Sequence, residues 1–202
     1  KCLAQMMHPF RLATIILAAG QSTRMGSINK LLMRIEGRPM IQRVLDAAIE
    51  AASTDIYVVT GFERERIESC LSEYAVNFVH NESFRDGMGK TIAEGVKAIS
   101  DQLFDGAMIL LGDLPYLRAD TVIAVAESFA EHEGRKIVIP TYESDPGHPV
   151  VFPKTFFDEL TQLSGDRGAR EACAMHQSRV TRLEVEDPGG TRDLDTLPTK
   201  FS

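Results

Sequence analysis

One short stretch gathers hydroxyls, cations and glycines: Leu17-Ala18-Ala19-Gly20-Gln21-Ser22-Thr23-Arg24-Met25-Gly26, followed by Asn29-Lys30. Gly20 and Gly26 let the backbone approach a ligand closely, Ser22 and Thr23 offer hydroxyls, and Arg24 and Lys30 add fixed positive charge. That combination suits a polyphosphate, whose charge wants N–H groups and cations converging on it. Downstream, Gly112-Asp113-Leu114-Pro115 sets a carboxylate directly after an apolar run. Mg²⁺ takes oxygen ligands, typically one or two carboxylates plus substrate phosphates, so Asp113 is a candidate ligand. A second carboxylate is expected from Asp193-Leu194-Asp195-Thr196, whose alternation sends Asp193 and Asp195 to one side if the segment is extended. Capping a helix is the competing role for Asp113 and for Asp195.

Spacing excludes two better-known phosphate loops. A dinucleotide fingerprint needs Gly-x-Gly-x-x-Gly, but Ser22 stands two positions after Gly20. A Walker loop would need glycine where Phe84 precedes Gly89-Lys90-Thr91.

The elements that must position these groups alternate along the chain. Apolar runs at 14–18, 56–60, 76–80, 107–111, 137–140, 150–152 and 180–185 read as strands. Between them, apolar residues at helical spacing predict helices over 40–52, 63–71, 91–103 and 121–130. This rhythm predicts an α/β fold: a single three-layer, Rossmann-like domain over 11–202, with a mostly parallel sheet and helices on both faces. Residues 1–10 read as a loose leader, and 143–170, rich in Gly and Pro, as an irregular insertion over one end of the sheet. Ligands of open parallel sheets sit beyond the C-terminal strand ends. Gly20, Gly61, Asn81 and Asp113 all leave strands at that edge.

With 202 residues, 44% hydrophobic and 25% charged, the chain has the composition of one globular domain. Its formal net charge of −7 argues against a general nucleic-acid or anionic-membrane surface, so positive charge is expected locally, in a pocket. No run approaches the ~20 apolar residues of a membrane span. Lys1 and Arg11 before 12–19 could pass for a short signal peptide, but the same residues make a better first strand. Cys2, Cys70 and Cys173 are widely spaced, as reduced thiols of a cytoplasmic protein would be, rather than a disulfide frame or zinc site.

Leu-Ala-Ala-Gly-x-Ser-x-Arg-Met-Gly followed by Lys30 resembles the signature of nucleotidyltransferases of the molybdenum-cofactor type. The resemblance extends over almost the whole chain. Gly112-Asp113-Leu114-Pro115 is similar to that family's Gly-Asp-Met-Pro metal motif, and the stretch from Asn81 through Gly87-Met88 to Thr91 to its nucleotide-pocket segment. Gly147-His148-Pro149 and Gly165-Asp166-Arg167-Gly168-Ala169-Arg170 resemble elements of the cytidylyltransferase branch, which handles molybdopterin. Asp193-Leu194-Asp195-Thr196 resembles Asp-Ile-Asp-Thr-Pro-Glu-Asp but departs after Thr196, where Leu197 intervenes and Thr199-Lys200 replaces the acidic pair.

The resemblance implies transfer of a cytidylyl group from CTP to molybdopterin with release of pyrophosphate, in molybdenum-cofactor maturation. It further implies Mg²⁺ on Asp113 and Asp195, and catalytic roles for Arg24, Lys30 and Asp113. Nucleotide contacts would come from Leu17, Ala18, Ala19, Gly20, Ser22, Arg24, Lys30, Gly61, Asn81, Gly87, Met88, Thr91 and Asp113. His148 and Arg170 would meet the acceptor, though His148 could instead brace its loop or act as a base, and Arg170 could form a surface ion pair. A recipient molybdoenzyme is the implied transient partner. Guanylyl-transferring relatives resemble Leu-Ala-Gly-Gly at the loop, so the Cβ of Ala19 would narrow the base pocket toward a pyrimidine. GTP or a sugar-phosphate acceptor, an NAD(P)H oxidoreductase on a similar sheet, and a non-catalytic nucleotide-binding module remain alternatives. His132 and His176 are expected to be solvated, and Glu63-Arg64-Glu65-Arg66 to form an exposed helix face.

Overall fold

The apolar run ahead of the glycine-rich loop is a strand, β1 (Leu12–Ala18), and it lies in the interior of the sheet. The structure, a computed structural model, describes residues 10–21, 29–166 and 168–191. After a 3-10 turn at Lys30–Leu32 come a two-strand ribbon, β2 (Arg34–Ile35) and β3 (Arg38–Pro39), and then α1 (Met40–Glu50). The chain continues through β4 (Asp55–Thr60), α2 (Arg64–Cys70), β5 (Asn77–His80), α3 (Met88–Lys97), β6 (Gly106–Leu111) and α4 (Ala119–Glu131). Its later part is β7 (Ile137–Tyr142), β8 (Asp145–Pro146), β9 (Val150–Pro153), α5 (Phe157–Leu160), α6 (Ala169–Met175) and β10 (Val180–Glu184).

The sheet order is β10-β7-β9-β6-β1-β4-β5, with β8 hairpinned onto β7. β1 is parallel to β4 and β6, β5 to β4, and β10 to β7. Only β9 among these long strands is reversed, running antiparallel to both β6 and β7. Two reversals cancel, so β7 points the same way as β6, and the C-terminal ends of β1, β4, β5, β6 and β7 share one edge. The fold is therefore the mostly parallel three-layer α/β architecture that the alternating pattern predicts.

Side chains alternate across a strand, and β1 shows what that does. Ala13, Ile15 and Leu17 enter one apolar layer with Ile92 and Val96 of α3, Phe157 and Leu160 of α5, and Ala172 of α6. Ile16 and Ala18 enter the opposite layer with Ile41, Val44 and Leu45 of α1, Ile67 of α2, and Val125 and Phe129 of α4. Among the described residues three helices thus cover each face, and burial of each large aliphatic contributes about 1.5–3 kcal/mol. No helix among the described residues is long and apolar enough to cross a membrane.

Three expectations need correction. The helix predicted over 91–103 runs from Met88 to Lys97: Gly87, at φ +95°, starts it early, and the apolar spacing that reaches Leu103 is spurious, since that side chain is 84% exposed. Residues 143–170 are not simply an insertion over one end, because β9 lies between β6 and β7, with Val150, Val151 and Phe152 fully buried. A strand covered on both faces reads as a continuous apolar run, which is what these residues are. Phe10, assigned to the leader, stacks edge-on against Phe129 of α4 with ring centroids 5.8 Å apart.

Candidate active site

Two strand exits meet at the centre of the shared edge. The Gly112 N–H, just past β6, donates to the Leu17 carbonyl of β1 at 3.0 Å. A Cβ on Gly112 would stand 2.8 Å from that oxygen, so glycine is what allows the two exits to close up. Asp113 follows directly. Lys30 reaches it from the 3-10 turn, whose start is fixed by Asn29, its Oδ1 accepting from the Leu31 N–H at 3.1 Å. The Lys30 Nζ lies 2.6 Å from the Asp113 Oδ2, with side chains only 15% and 18% exposed.

The loop carrying Asp113 is held from two further directions. Arg43 of α1 donates through Nε to the Pro115 carbonyl at 3.0 Å and through Nη1 to Glu36 at 2.7 Å. Asp187, beyond β10, is buried and accepts from the Arg118 N–H at 3.0 Å, the Thr121 hydroxyl at 2.7 Å and the Gly189 N–H at 2.8 Å. Asp187 therefore serves the N-terminus of α4, and Asp113 does not cap it. Sequence reading missed Asp187, although Asp187-Pro188-Gly189-Gly190 carries an Asx-turn signature.

The neighbouring exits form a wall beside the glycine loop. Leu17, Ala18 and Ala19 are buried, while a Cβ on Gly20 would meet open space. The Ala19 methyl is directed at Gly61, whose own Cβ would clash with it at 2.9 Å and with Phe84 at 2.6 Å, and the Ala19 carbonyl accepts from the Phe62 N–H. Asn81 is fully buried, donating to the Thr91 hydroxyl at 3.1 Å and accepting from the Ser83 N–H at 3.0 Å. Both Asn81 and Thr91 thus brace the wall from behind. Gly87 packs against the Gly165 backbone, where a Cβ would fall at 2.3 Å, and Gly89 N–H donates to the Gly165 carbonyl. Met88 remains largely exposed beside Gly168.

On the other side of Asp113, His148 is buried at the start of β9. Its Nδ1 lies 3.2 Å from the Ile109 carbonyl, and its N–H donates to the Gly190 carbonyl at 2.8 Å. Burial, above all, pushes the imidazole down to about 4; the hydrogen bond to the Ile109 carbonyl opposes it, Arg170 acts with burial, and Asp113 acts against it. Arg170, on α6, donates to the Pro146 carbonyl at 2.7 Å and has no ion-pair partner among the described residues. The structure therefore brings Lys30, Asp113, His148 and Arg170 to one end of the sheet. Ser22, Arg24, Asp193 and Asp195 lie outside the described residues, as do Arg167 and Cys2. Among the described residues, no group of three His, Cys, Asp or Glu side chains could cage a metal.

His176 is not simply solvated: its Nε2 lies 2.8 Å from Glu159 and its ring packs on Phe156. His132 is engaged too, its Nδ1 lying 2.8 Å from the Ser128 carbonyl. Arg64, Glu65 and Arg66 are exposed as expected, but Glu63 precedes the helix in a left-handed conformation, paired with Arg66.

Together with the family match over residues 14–180, a glycine-lined strand exit and a neighbouring carboxylate on a mostly parallel sheet place the chain in the nucleotidyltransferase class. The chain belongs to the MobA-like NTP transferase family, whose domain model matches residues 14–180. Purine catabolism protein PucB of Bacillus subtilis (strain 168) is 31% identical over 203 residues, 95% of this chain and 94% of that protein. Bifunctional protein GlmU of Koribacter versatilis is 33% identical over 147 residues, 71% of this chain but 31% of its own length. The chain thus spans about a third of the GlmU relatives it matches. In architecture it is similar to Rv0371c from Mycobacterium tuberculosis H37Rv, with a TM-score of 0.81, 24% identity and 93% of each chain covered. A manganese complex of that protein also matches, at a TM-score of 0.74.

Proposed function

We propose that this nucleotidyltransferase moves a cytidylyl group from CTP to the terminal phosphate of molybdopterin, with Mg²⁺, and releases pyrophosphate. The observation that carries the reading is the Lys30–Asp113 pair at the joined exits of β1 and β6. It sets a cation and a metal-ligating oxygen side by side where a triphosphate cradled by Gly20 would lie. The Gly147-His148-Pro149 and Leu-Ala-Ala-Gly elements favour the pterin acceptor and the pyrimidine donor.

One carboxylate already balanced by an ammonium cannot cage an ion. It fits an ion that keeps waters and takes substrate phosphate oxygens, as Mg²⁺ does, with Asp195 as the second protein ligand. Held by Asp113 and Asp195, Mg²⁺ would supply positive charge to offset the charge of the triphosphate.

The step needs little proton transfer. A phosphate monoester has a second pKa of about 6, so the acceptor is largely dianionic at neutral pH. An acceptor oxygen forms a bond to the α-phosphorus of CTP, and the bond to the β-bridging oxygen breaks, its electrons leaving with pyrophosphate. The obstacle is repulsion between two anions, so the protein's work is charge neutralisation and in-line positioning. Lys30, with Arg24, opposes the charge on the triphosphate and the leaving pyrophosphate. Arg170 anchors the acceptor phosphate.

A pyrophosphate-release assay with Mg²⁺, molybdopterin and each of the four nucleoside triphosphates tests this. Release is expected with CTP and only when molybdopterin is present. Faster release with another triphosphate, or release indifferent to molybdopterin, would reject the substrate assignment.

A further inference from the structure

His148 is held in one tautomer by a backbone carbonyl at the end of the sheet ladder. The antiparallel register of β6 and β9 ends with Ile109 opposite Val150. The Ile109 carbonyl, at the end of that register, faces the His148 Nδ1 at 3.2 Å. A carbonyl only accepts, so Nδ1 carries the proton and Nε2 of the neutral ring carries a lone pair. The backbone fixes the ring from behind: the His148 N–H donates to the Gly190 carbonyl, and a Cβ on Gly147 would stand 2.7 Å from that same oxygen.

The charges acting on this ring are Asp113, beyond β6, and Arg170, on α6. Asp113 is matched by Lys30 at 2.6 Å, and Arg170 is tied to the Pro146 carbonyl. A second cation beside Arg170 would add to the capture of an anion, but a buried imidazole with its proton turned toward the sheet cannot supply one. Burial keeps the ring neutral well below physiological pH.

We propose that His148 reads the acceptor with Nε2 as a hydrogen-bond acceptor, so that the acceptor must present an N–H or O–H donor there while Arg170 takes its anionic end. The inference rests on the proposed transferase reading and adds how the acceptor is recognised. It makes His148 a specificity residue rather than a phosphate ligand or a general base. A reduced pterin, rich in ring and amino N–H groups and bearing a phosphate, meets both demands. A bare phosphate or pyrophosphate meets only the second.

The test uses the full chain with ¹⁵N-labelled histidine. Long-range ¹H–¹⁵N spectra are expected to show His148 neutral, with the proton on Nδ1, from pH 5.5 to 8. Adding molybdopterin in the presence of CTP should move the Nε2 resonance and leave Nδ1 in place, whereas inorganic phosphate should move neither. His148→Ala is expected to raise the KM for molybdopterin about tenfold, as loss of one hydrogen bond does, and to leave the KM for CTP within about twofold. His148→Gln, whose side-chain oxygen can accept, should recover part of the loss. A proton on Nε2, a charged ring at neutral pH, or an unmoved Nε2 while molybdopterin is turned over overturns the inference. No turnover of molybdopterin with any triphosphate, with the Nδ1–H pattern intact, overturns the transferase reading and the acceptor contact with it, but not the tautomer.

Discussion

Lys30 and Asp113 meet at 2.6 Å although they leave the sheet from different strands, and both are mostly shielded from water. The β1 and β6 exits, clamped by the Gly112–Leu17 hydrogen bond, make that meeting possible. Asp113→Asn is expected to lower the rate of pyrophosphate release a hundredfold or more, roughly the cost of losing one preorganised charge contact. Retention of more than about a tenth of the wild-type rate removes Asp113 from the metal role. Because the two side chains touch, Lys30→Met and Asp113→Asn should combine to less than the sum of their separate effects.

Asp187 joins the end of β10 to α4 and to the loop bearing Asp113 through two hydrogen bonds, and caps the 3-10 turn at Pro188–Gly190 through a third. Asp187→Ala removes a helix cap and leaves buried donors unmet, so urea denaturation should show a loss of about 3 kcal/mol. Asp187→Asn keeps one accepting oxygen and should fall between. If Asp187→Ala unfolds at the wild-type urea concentration, this carboxylate does not organise the loop.

Stability should also depend on pH through His148. Its native imidazole is lowered from 6.5 to about 4, so between these values the unfolded chain binds the proton that the native chain refuses. Stability from this group is complete above pH 6.5, declines as pH falls toward 4, and is constant below, a change of about 3 kcal/mol. Urea midpoints across this range should fall more steeply for wild type than for His148→Gln; parallel curves would show that His148 titrates normally.

Ala19 offers a test of base choice. Its methyl lies against Gly61, at the foot of the wall beside the glycine loop. Ala19→Gly should relax that wall and narrow the preference for CTP over GTP by about tenfold, the scale on which one methyl discriminates. An unchanged ratio of kcat/KM values would place the selector elsewhere.

The order of strands and helices was legible because buried elements repeat their chemistry. Ile15 and Leu17 alternate with Ile16 and Ala18 to opposite faces, and Ile41, Val44, Leu45 and Ala48 mark one side of α1. Strand exits were legible as well, since Gly20, Gly61, Asn81 and Asp113 each follow an apolar run. The end of α3 was misread because spacing alone cannot distinguish a buried Ile99 from the exposed Leu103.

What the sequence determined by itself is local: which segments are apolar at which period, where glycine loosens the chain, and which charged residues stand at element ends. Short-range sterics and side-chain entropy act within a few residues, so they leave a trace that can be read along the chain. Only the tertiary structure decided that Lys30 touches Asp113, that β9 enters the sheet reversed, and that Asp187 fastens the start of a helix begun far earlier. Those relationships depend on which strands become neighbours, and sheet pairing joins residues with no shared local pattern.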